Sequence, residues 1–140
     1  MELSRVIGSA EPPPDDVEPR NLIYAIDLYL QALTIKPYAM DARSFLLKLA
    51  MRRWEQKRPN FLRRRMDRMM FKIQLRRIED PQKRLLLSDK HLSIYPHDGL
   101  AYLELGKAAR ENGYIEVAQC AFQEAIRRNV RGAQDLLDKV

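Results

Sequence analysis

Four basic residues of one predicted helix are the sharpest candidate site in this 140-residue sequence. Successive members are three, four and four residues apart, so they lie within about 80° of one another around a helix. These residues, here called the basic ridge, are Arg65, Arg68, Lys72 and Arg76. Like charges at such spacings destabilise a helix, and an anionic partner would relieve their repulsion. The spacing therefore favours binding of carboxylates or phosphates, with an unoccupied solvated face as the other interpretation.

Other residue types that could do chemistry form no recognisable site. His91 and His97 are six residues apart and match no metal-binding motif. Cys120 is the only cysteine and is expected to be a small core residue, because it falls within an alanine-rich helical pattern. Glu79 and Asp80 are best explained as a helix end and an N-cap. No glycine-rich turn is present to hold a phosphate. We therefore expect no enzymatic activity, no metal and no cofactor.

The positive charge of the chain is concentrated in its middle. The formal net charge is +6, but residues 48–90 contain fifteen Lys/Arg and five Asp/Glu, a balance of +10, which leaves −4 for the rest. A basic segment of this kind bears on the choice of partner rather than on the fold. Composition does not identify the anionic partner of this segment, which could be an acidic protein segment, RNA, a ribosomal surface or an anionic membrane surface.

No targeting signal is evident in the sequence. The first twenty residues carry five acids and lack the apolar core of a signal peptide, and no stretch reaches the length of a membrane span. With a single cysteine, these features predict a cytoplasmic protein without stable membrane insertion. Residues 1–20 are interpreted as an acidic, proline-rich disordered lead, and residues 21–140 as one domain with a basic middle, 48–90.

Apolar residues recur at steps of three and four from residue 21 onward, which predicts helices throughout. Helix starts are expected at Asp41, Asp80 and Asp98, each an N-cap candidate, and at about Asn60; the helix after Asp80 is expected to end at Tyr95-Pro96. The predicted helices cover about 22–35, 41–57, 60–78, 81–95, 99–112, 114–128 and 133–140. Runs with a period of two are absent, so the fold class is all-α, with six to seven helices.

The third predicted helix also carries an apolar stripe. The stripe consists of Leu62, Met66, Met69, Met70 and Ile73. A stripe of this kind usually lies in the core, and we expect that here. The other interpretation is an adaptable methionine-rich binding surface. Burial of the methionines would also argue against a helix that lies on a membrane surface.

The C-terminal half resembles the tetratricopeptide repeat. The spacings of that repeat are matched by Tyr102, Leu105, Gly106 and Ala109 in one predicted helix and by Ala118, Phe122 and Ala125 in the next. Three positions depart from the usual residues: Tyr102 replaces Trp, Ala109 replaces Tyr, and Val130 replaces Pro. Half a repeat recurs as Ala25, Tyr29 and Ala32 before Pro37; its first helix is missing, so the fold starts on an unpaired helix or a partner supplies one. The resemblance implies a right-handed stack of antiparallel helix hairpins in which small residues sit where helices cross.

Members of this family bind peptides in a groove lined by the first helix of each pair. On that resemblance the groove here would be basic, with Lys48, Arg52, Lys107 and Arg110 beside Ser44 and Leu103. The family's carboxylate clamp has Asn where these lysines stand, so chaperone-tail binding is not expected. The sequence thus favours a non-catalytic adaptor or scaffold that binds an acidic protein segment through groove and ridge. The alternative is a ribosome- or RNA-associated protein, and self-association through the N-terminal helix is a further expectation.

Overall fold

Seven helices make up the part of the chain that can be described. The structure, a computed structural model, describes Pro12 and residues 19–140. The helices are α1 Pro19–Ile35, α2 Met40–Gln56, α3 Phe61–Arg77, α4 Pro81–Leu92, α5 Gly99–Glu111, α6 Ile115–Arg127 and α7 Ala133–Asp138. No strand occurs in the described ranges, which confirms the predicted all-α class. The predicted lead lies outside them, except for Pro12 and for residues 19–20, which already belong to α1.

Three helices begin where the sequence predicts, and the structure adds a cap at Asn60 to the caps predicted at Asp80 and Asp98. The side chains of Asn60, Asp80 and Asp98 accept hydrogen bonds from the backbone N–H groups of residues 63, 82 and 100, at 2.8, 3.0 and 3.1 Å. The cap predicted at Asp41 is wrong. Helix α2 begins one residue earlier, with Ala39 at the cap position, and Asp41 lies in the first turn, where its carboxylate accepts from the N–H of Ala42.

The main core lies between α5 and α6 and extends to α4 and α7. Gly106 faces Phe122 so closely that a Cβ at position 106 would lie 2.5 Å from the Phe122 ring. Phe122 and Ala118 are fully buried. The prediction that small residues stand at the crossing of this hairpin, with Phe122 filling the space between, is therefore confirmed.

A second core joins α1 to α2. It is built from Leu22, Ile26, Tyr29, Ala32, Leu33, Ala42, Leu46 and Leu49. Between the two cores, Arg43 of α2 forms a bidentate ion pair with Asp89 of α4, with Nε–Oδ1 and Nη2–Oδ2 distances of 2.9 and 2.8 Å. Both side chains are buried. Helix α1 also contacts α4, so this ion pair reinforces an existing junction between the halves.

Helix α3 is attached to the rest of the fold along one face only. Phe71 and Leu75 are its buried residues, and the Phe71 ring stacks on His91 at 4.1 Å. The Tyr95 hydroxyl donates to Asp67 at 2.6 Å. At the C-terminal end of α3, the Arg84 guanidinium donates to the carbonyl of Leu75 at 3.1 Å. Much of the attachment is thus polar, which lets α3 dock with only two buried apolar side chains.

Three further expectations are corrected by this packing. The methionines of the apolar stripe are exposed, because they lie about 160° around α3 from Phe71 and Leu75. Cys120 is exposed, because α6 buries the neighbouring face that carries Val117, Ala118 and Ala121. Helix α4 ends at Leu92, and the residues up to Pro96 form turns rather than a last helical turn.

Candidate functional site

The basic ridge is fully presented to solvent. Arg65, Arg68, Lys72 and Arg76 are all exposed, and none of them forms a salt bridge with another described residue. Arg65 lies over the Phe61 ring at 5.7 Å, which orients its guanidinium without neutralising it. The nearest acid on the helix, Asp67, is instead bound by Tyr95 and lies 3.5 Å from Arg63. The ridge therefore presents four exposed cations on one face, none of them in a salt bridge with a described residue.

The apolar stripe runs beside the ridge. Leu62, Met66 and Met69 are 68%, 59% and 61% exposed, Met70 is 50% exposed, and Ile73 is half-buried. Isolated exposed apolar side chains are ordinary on protein surfaces, but a contiguous group indicates an interaction site. Because the stripe and the ridge share one helix, α3 presents apolar area and positive charge together.

The face of α3 opposite the stripe contacts the rest of the fold, which explains why the stripe faces outward. Arg64, Asp67, Phe71 and Leu75 follow one another at steps of three and four, and each contacts the scaffold. Arg64 donates to the carbonyl of Pro59 at 2.8 Å and lies over the Trp54 ring at 5.1 Å. These contacts fix the rotation of α3, so the stripe and the ridge must face outward. The cue in the sequence was Asp67, the single acid on the helix, which marks the docked face.

Additional basic side chains surround a cleft next to the ridge, and the sequence did not reveal this group. The cleft has a volume of about 400 Å³ and lies between α3, the end of α2 and the start of α5. Arg68 of the ridge lines it together with Arg64, Arg128 and His97. The signal was absent from the sequence because Arg128 is 60 residues from Arg68 and only the fold brings them together. The cleft could receive an acidic group of a partner bound on α3.

Asp98 is the acid that stabilises this region. Its side chain caps α5 and lies 2.9 Å from His91 Nε2. Burial by itself would raise the pKa of Asp98. The hydrogen bond and charge of His91, the charge of Arg68 and the N–H of Leu100 outweigh burial and hold the pKa below its ordinary value of 3.8. Asp98 therefore stays ionised and compensates part of the positive charge at the cleft.

Two tyrosines near the cleft are held in the protonated form. Burial, followed by the hydrogen bond to Asp67, raises the pKa of Tyr95 well above its ordinary value. Burial also raises the pKa of Tyr102 to about 12, against the opposing charge of Arg128. The Tyr102 hydroxyl donates to the carbonyl of Pro96 at 2.8 Å. Both hydroxyls are engaged as structural donors, and the arrangement gives neither a nucleophilic role.

The four basic residues predicted to line a groove lie on α2 and α5. Lys48 is exposed on α2, and Arg52 and Arg110 are half-buried. Lys107 lies 3.4 Å from Glu104, which also accepts from Arg84. A cleft of about 290 Å³ does open between α2 and α6, and Ser44 lines it. None of the four predicted basic residues lines that cleft, and Leu103 is buried.

The potentially reactive groups do not converge. Across residues 19–140 no cluster of three or more His, Cys, Asp or Glu side chains could hold a metal ion. His97 contacts the Trp54 ring, whereas His91 is bound between Phe71 and Asp98. Cys120 lies on the α2–α6 cleft, away from both histidines. Within the described helices, none is long and apolar enough to cross a bilayer.

Comparison with known proteins gives no relative from which a role could be transferred. No protein-family model, curated protein or solved structure matches the chain. The interpretation of α3 therefore depends on its own geometry.

Proposed function

We propose that this chain is a non-catalytic adaptor, similar in construction to tetratricopeptide repeat proteins, that binds an acidic segment of another protein. The observation that carries the proposal is the basic ridge: four exposed cations on a fixed helix, none in a salt bridge with a residue that the structure describes, next to an exposed apolar stripe. Fixing α3 by its opposite face keeps the cations in one plane, so a partner meets a preformed surface. The single cysteine supports a cytoplasmic setting.

Methionine content supports a protein partner for this surface. Three of the five stripe residues are methionine, a flexible and polarisable side chain that repacks against different protein surfaces. Membrane-surface helices, by comparison, rely on Trp, Phe and Leu. On the exposed face of α3, Leu62 and Phe61 are the residues of these types. The exposed stripe removes the objection to membrane binding that buried methionines would have raised, so anionic vesicles belong among the tests.

RNA or a ribosomal surface is the rival partner. Single-strand readers stack bases on open aromatic rings, but Trp54, beside the ridge, is already contacted by Arg58, Arg64, Tyr95 and His97. The Phe61 ring is exposed, but Arg65 lies over it at 5.7 Å, so binding would depend chiefly on phosphates. If each of the four ridge residues neutralised one phosphate of single-stranded RNA, log K would fall with log[salt] with a slope of about −2.8.

A fluorescence-anisotropy titration with labelled polyglutamate and labelled oligouridine tests the proposal. The ridge variant R65Q/R68Q/K72Q/R76Q is compared with K83Q/K90Q/R131Q/K139Q, which removes the same charge at four exposed positions elsewhere. We expect polyglutamate to bind the wild type and the control, and to lose binding to the ridge variant. Tighter oligouridine binding with the slope given above would favour the RNA function. Binding of neither probe would overturn both.

Self-association through α1 remains a separate proposal. Ile23 and Tyr24 are 49% and 60% exposed on that helix, so an apolar area is available where the repeat pattern lacks a first helix. Light scattering of the wild type and of I23S/Y24S distinguishes a dimer that depends on this face from a monomer.

A further inference from the structure

The apolar stripe of α3 has the register of a coiled-coil seam. Leu62, Met66, Met69 and Ile73 are separated by four, three and four residues, the alternation of successive d and a positions of a heptad. The seam extends over about 17 Å at 1.5 Å per residue. It faces away from the scaffold, because Phe71 and Leu75, which dock α3, fall at the outer f and c positions of the same heptads.

The positions that flank this seam are basic on both sides. With Leu62 at d, the g positions are Arg65 and Lys72, and the e positions are Arg63, Met70 and Arg77. All five residues are exposed. Arg63 contacts Asp67 at 3.5 Å, but the other three cations form no salt bridge with a described residue. In coiled coils, charges at e and g decide which helix pairs with which.

This charge pattern excludes the α3 helix of a second copy of the chain as the occupant. Pairing two α3 helices would bring basic e and g residues together across the seam, and like charges there oppose association. An acidic e/g pattern on the facing helix would convert each repulsion into an ion pair. The seam and the flanks together therefore specify an acidic amphipathic helix from another protein.

We propose that α3 binds such a helix by coiled-coil pairing: apolar a and d residues of the partner cover Leu62, Met66, Met69 and Ile73, and its Glu or Asp residues at e and g meet Arg63, Arg65, Lys72 and Arg77. This inference depends on the proposed function and specifies the acidic segment as a helix. Arg68 lies at the outer c position, where it adds long-range attraction, whereas Arg76 falls at the d position after Ile73 and ends the apolar seam with a charge.

The test uses three synthetic peptides of equal negative charge. The first is a three-heptad peptide of about 21 residues with Leu at a and d and Glu at e and g. The second has the same composition with the leucines moved off the common face, and the third is polyglutamate. Binding is followed by anisotropy with the wild type and with three variants: M66S/M69S, R65Q/K72Q and the charge-matched control K83Q/K90Q.

We expect the heptad peptide to bind at least about tenfold more tightly than the other two, because only it buries the stripe. Both M66S/M69S and R65Q/K72Q should weaken it by about tenfold or more, and K83Q/K90Q should not. As a reciprocal test, R65E/K72E should bind a heptad peptide with Lys at e and g better than the wild type does. Because Met66 and Met69 are exposed, M66S/M69S should unfold at the same urea concentration as the wild type.

The contrary results separate the two proposals. Equal binding of all three peptides, unaffected by M66S/M69S, would overturn helix pairing and leave acidic-segment binding intact. Binding of none would overturn both. Anionic phosphatidylglycerol vesicles that bind through Met66 and Met69, while the heptad peptide does not, would assign the stripe to a membrane surface and would also overturn helix pairing.

Discussion

At the scale of single residues, Gly106 is a position where the fold leaves no room for a side chain. A methyl group there would lie 2.5 Å from the Phe122 ring, and Phe122 is fully buried and cannot move aside. We expect Gly106→Ala to lower the free energy of unfolding by about 1–3 kcal/mol through overpacking. Urea denaturation measures the loss. The double variant G106A/F122L should recover part of it, and an undiminished stability of the single variant would contradict the close approach.

Asp98 makes the stability of the fold depend on acid pH. Asp98→Asn keeps an oxygen at the α5 cap but removes the charge that faces His91, so we expect a loss of about 1 kcal/mol near neutral pH. Because the pKa of Asp98 is lower in the folded chain than its unfolded value of 3.8, its charge stabilises the fold above that value. This contribution disappears as the pH falls through the lowered folded pKa.

Urea denaturation of the wild type and of Asp98→Asn at a series of pH values checks this expectation. The difference between the two unfolding free energies should shrink below pH 3.8, where protonation begins to remove the charge from the unfolded wild type and then from the folded one. A difference that stays constant to the lowest pH would show that Asp98 acts as a cap only.

At the scale of helices, the ion pair between α2 and α4 is the contact to perturb. Arg43 and Asp89 are both buried, and Arg43 Nη1 has no hydrogen-bond partner within the described structure. Asp89→Asn would leave the guanidinium without its counter-charge, and we expect it to cost about 3–5 kcal/mol. The apolar pair R43M/D89L should restore most of the stability, as measured by urea denaturation. A small cost for Asp89→Asn would mean that water reaches the pair.

Helix boundaries could be predicted closely from the sequence, because their causes are local. Asn60, Asp80 and Asp98 each need only the N–H groups of the next two or three residues to act as caps. The orientation of α3 could not be predicted so simply. Counting apolar residues favours burying the methionines, whereas the docked face combines Phe71 and Leu75 with polar partners on distant residues, such as Tyr95 and Arg84.

The candidate site could be predicted only in part from the sequence, because local patterns are visible there and long-range packing is not. The basic ridge is a pattern within one helix, so its four members could be named before the structure, and the fold shows all of them exposed. The cleft that joins Arg68 to Arg128 depends on how the fold brings α3 and the end of α6 to the same cleft, which a pattern within one helix does not reveal. Cys120 was misplaced because the alanines beside it indicate a buried face, from which it is offset by one position.

At the scale of the whole molecule, charge and packing are distributed unevenly. The ridge and the apolar stripe belong to a helix that is joined to α4 by Phe71, Leu75 and Arg84, and so to the larger of the two cores. The smaller core belongs to α1 and α2. A partner bound on α3 would therefore be supported chiefly by α4 to α7.

The division into two cores also means that the molecule need not open all at once. We expect residues of α1 and α2 to lose protection from amide hydrogen exchange in a partial unfolding that leaves α4 to α7 intact, since the apolar residues of each half form a core of their own. We expect amides of α5 and α6 to exchange last. A ligand on α3 should slow exchange in α4 to α7 and leave α1 unchanged, so exchange rates would report which half of the molecule senses the partner.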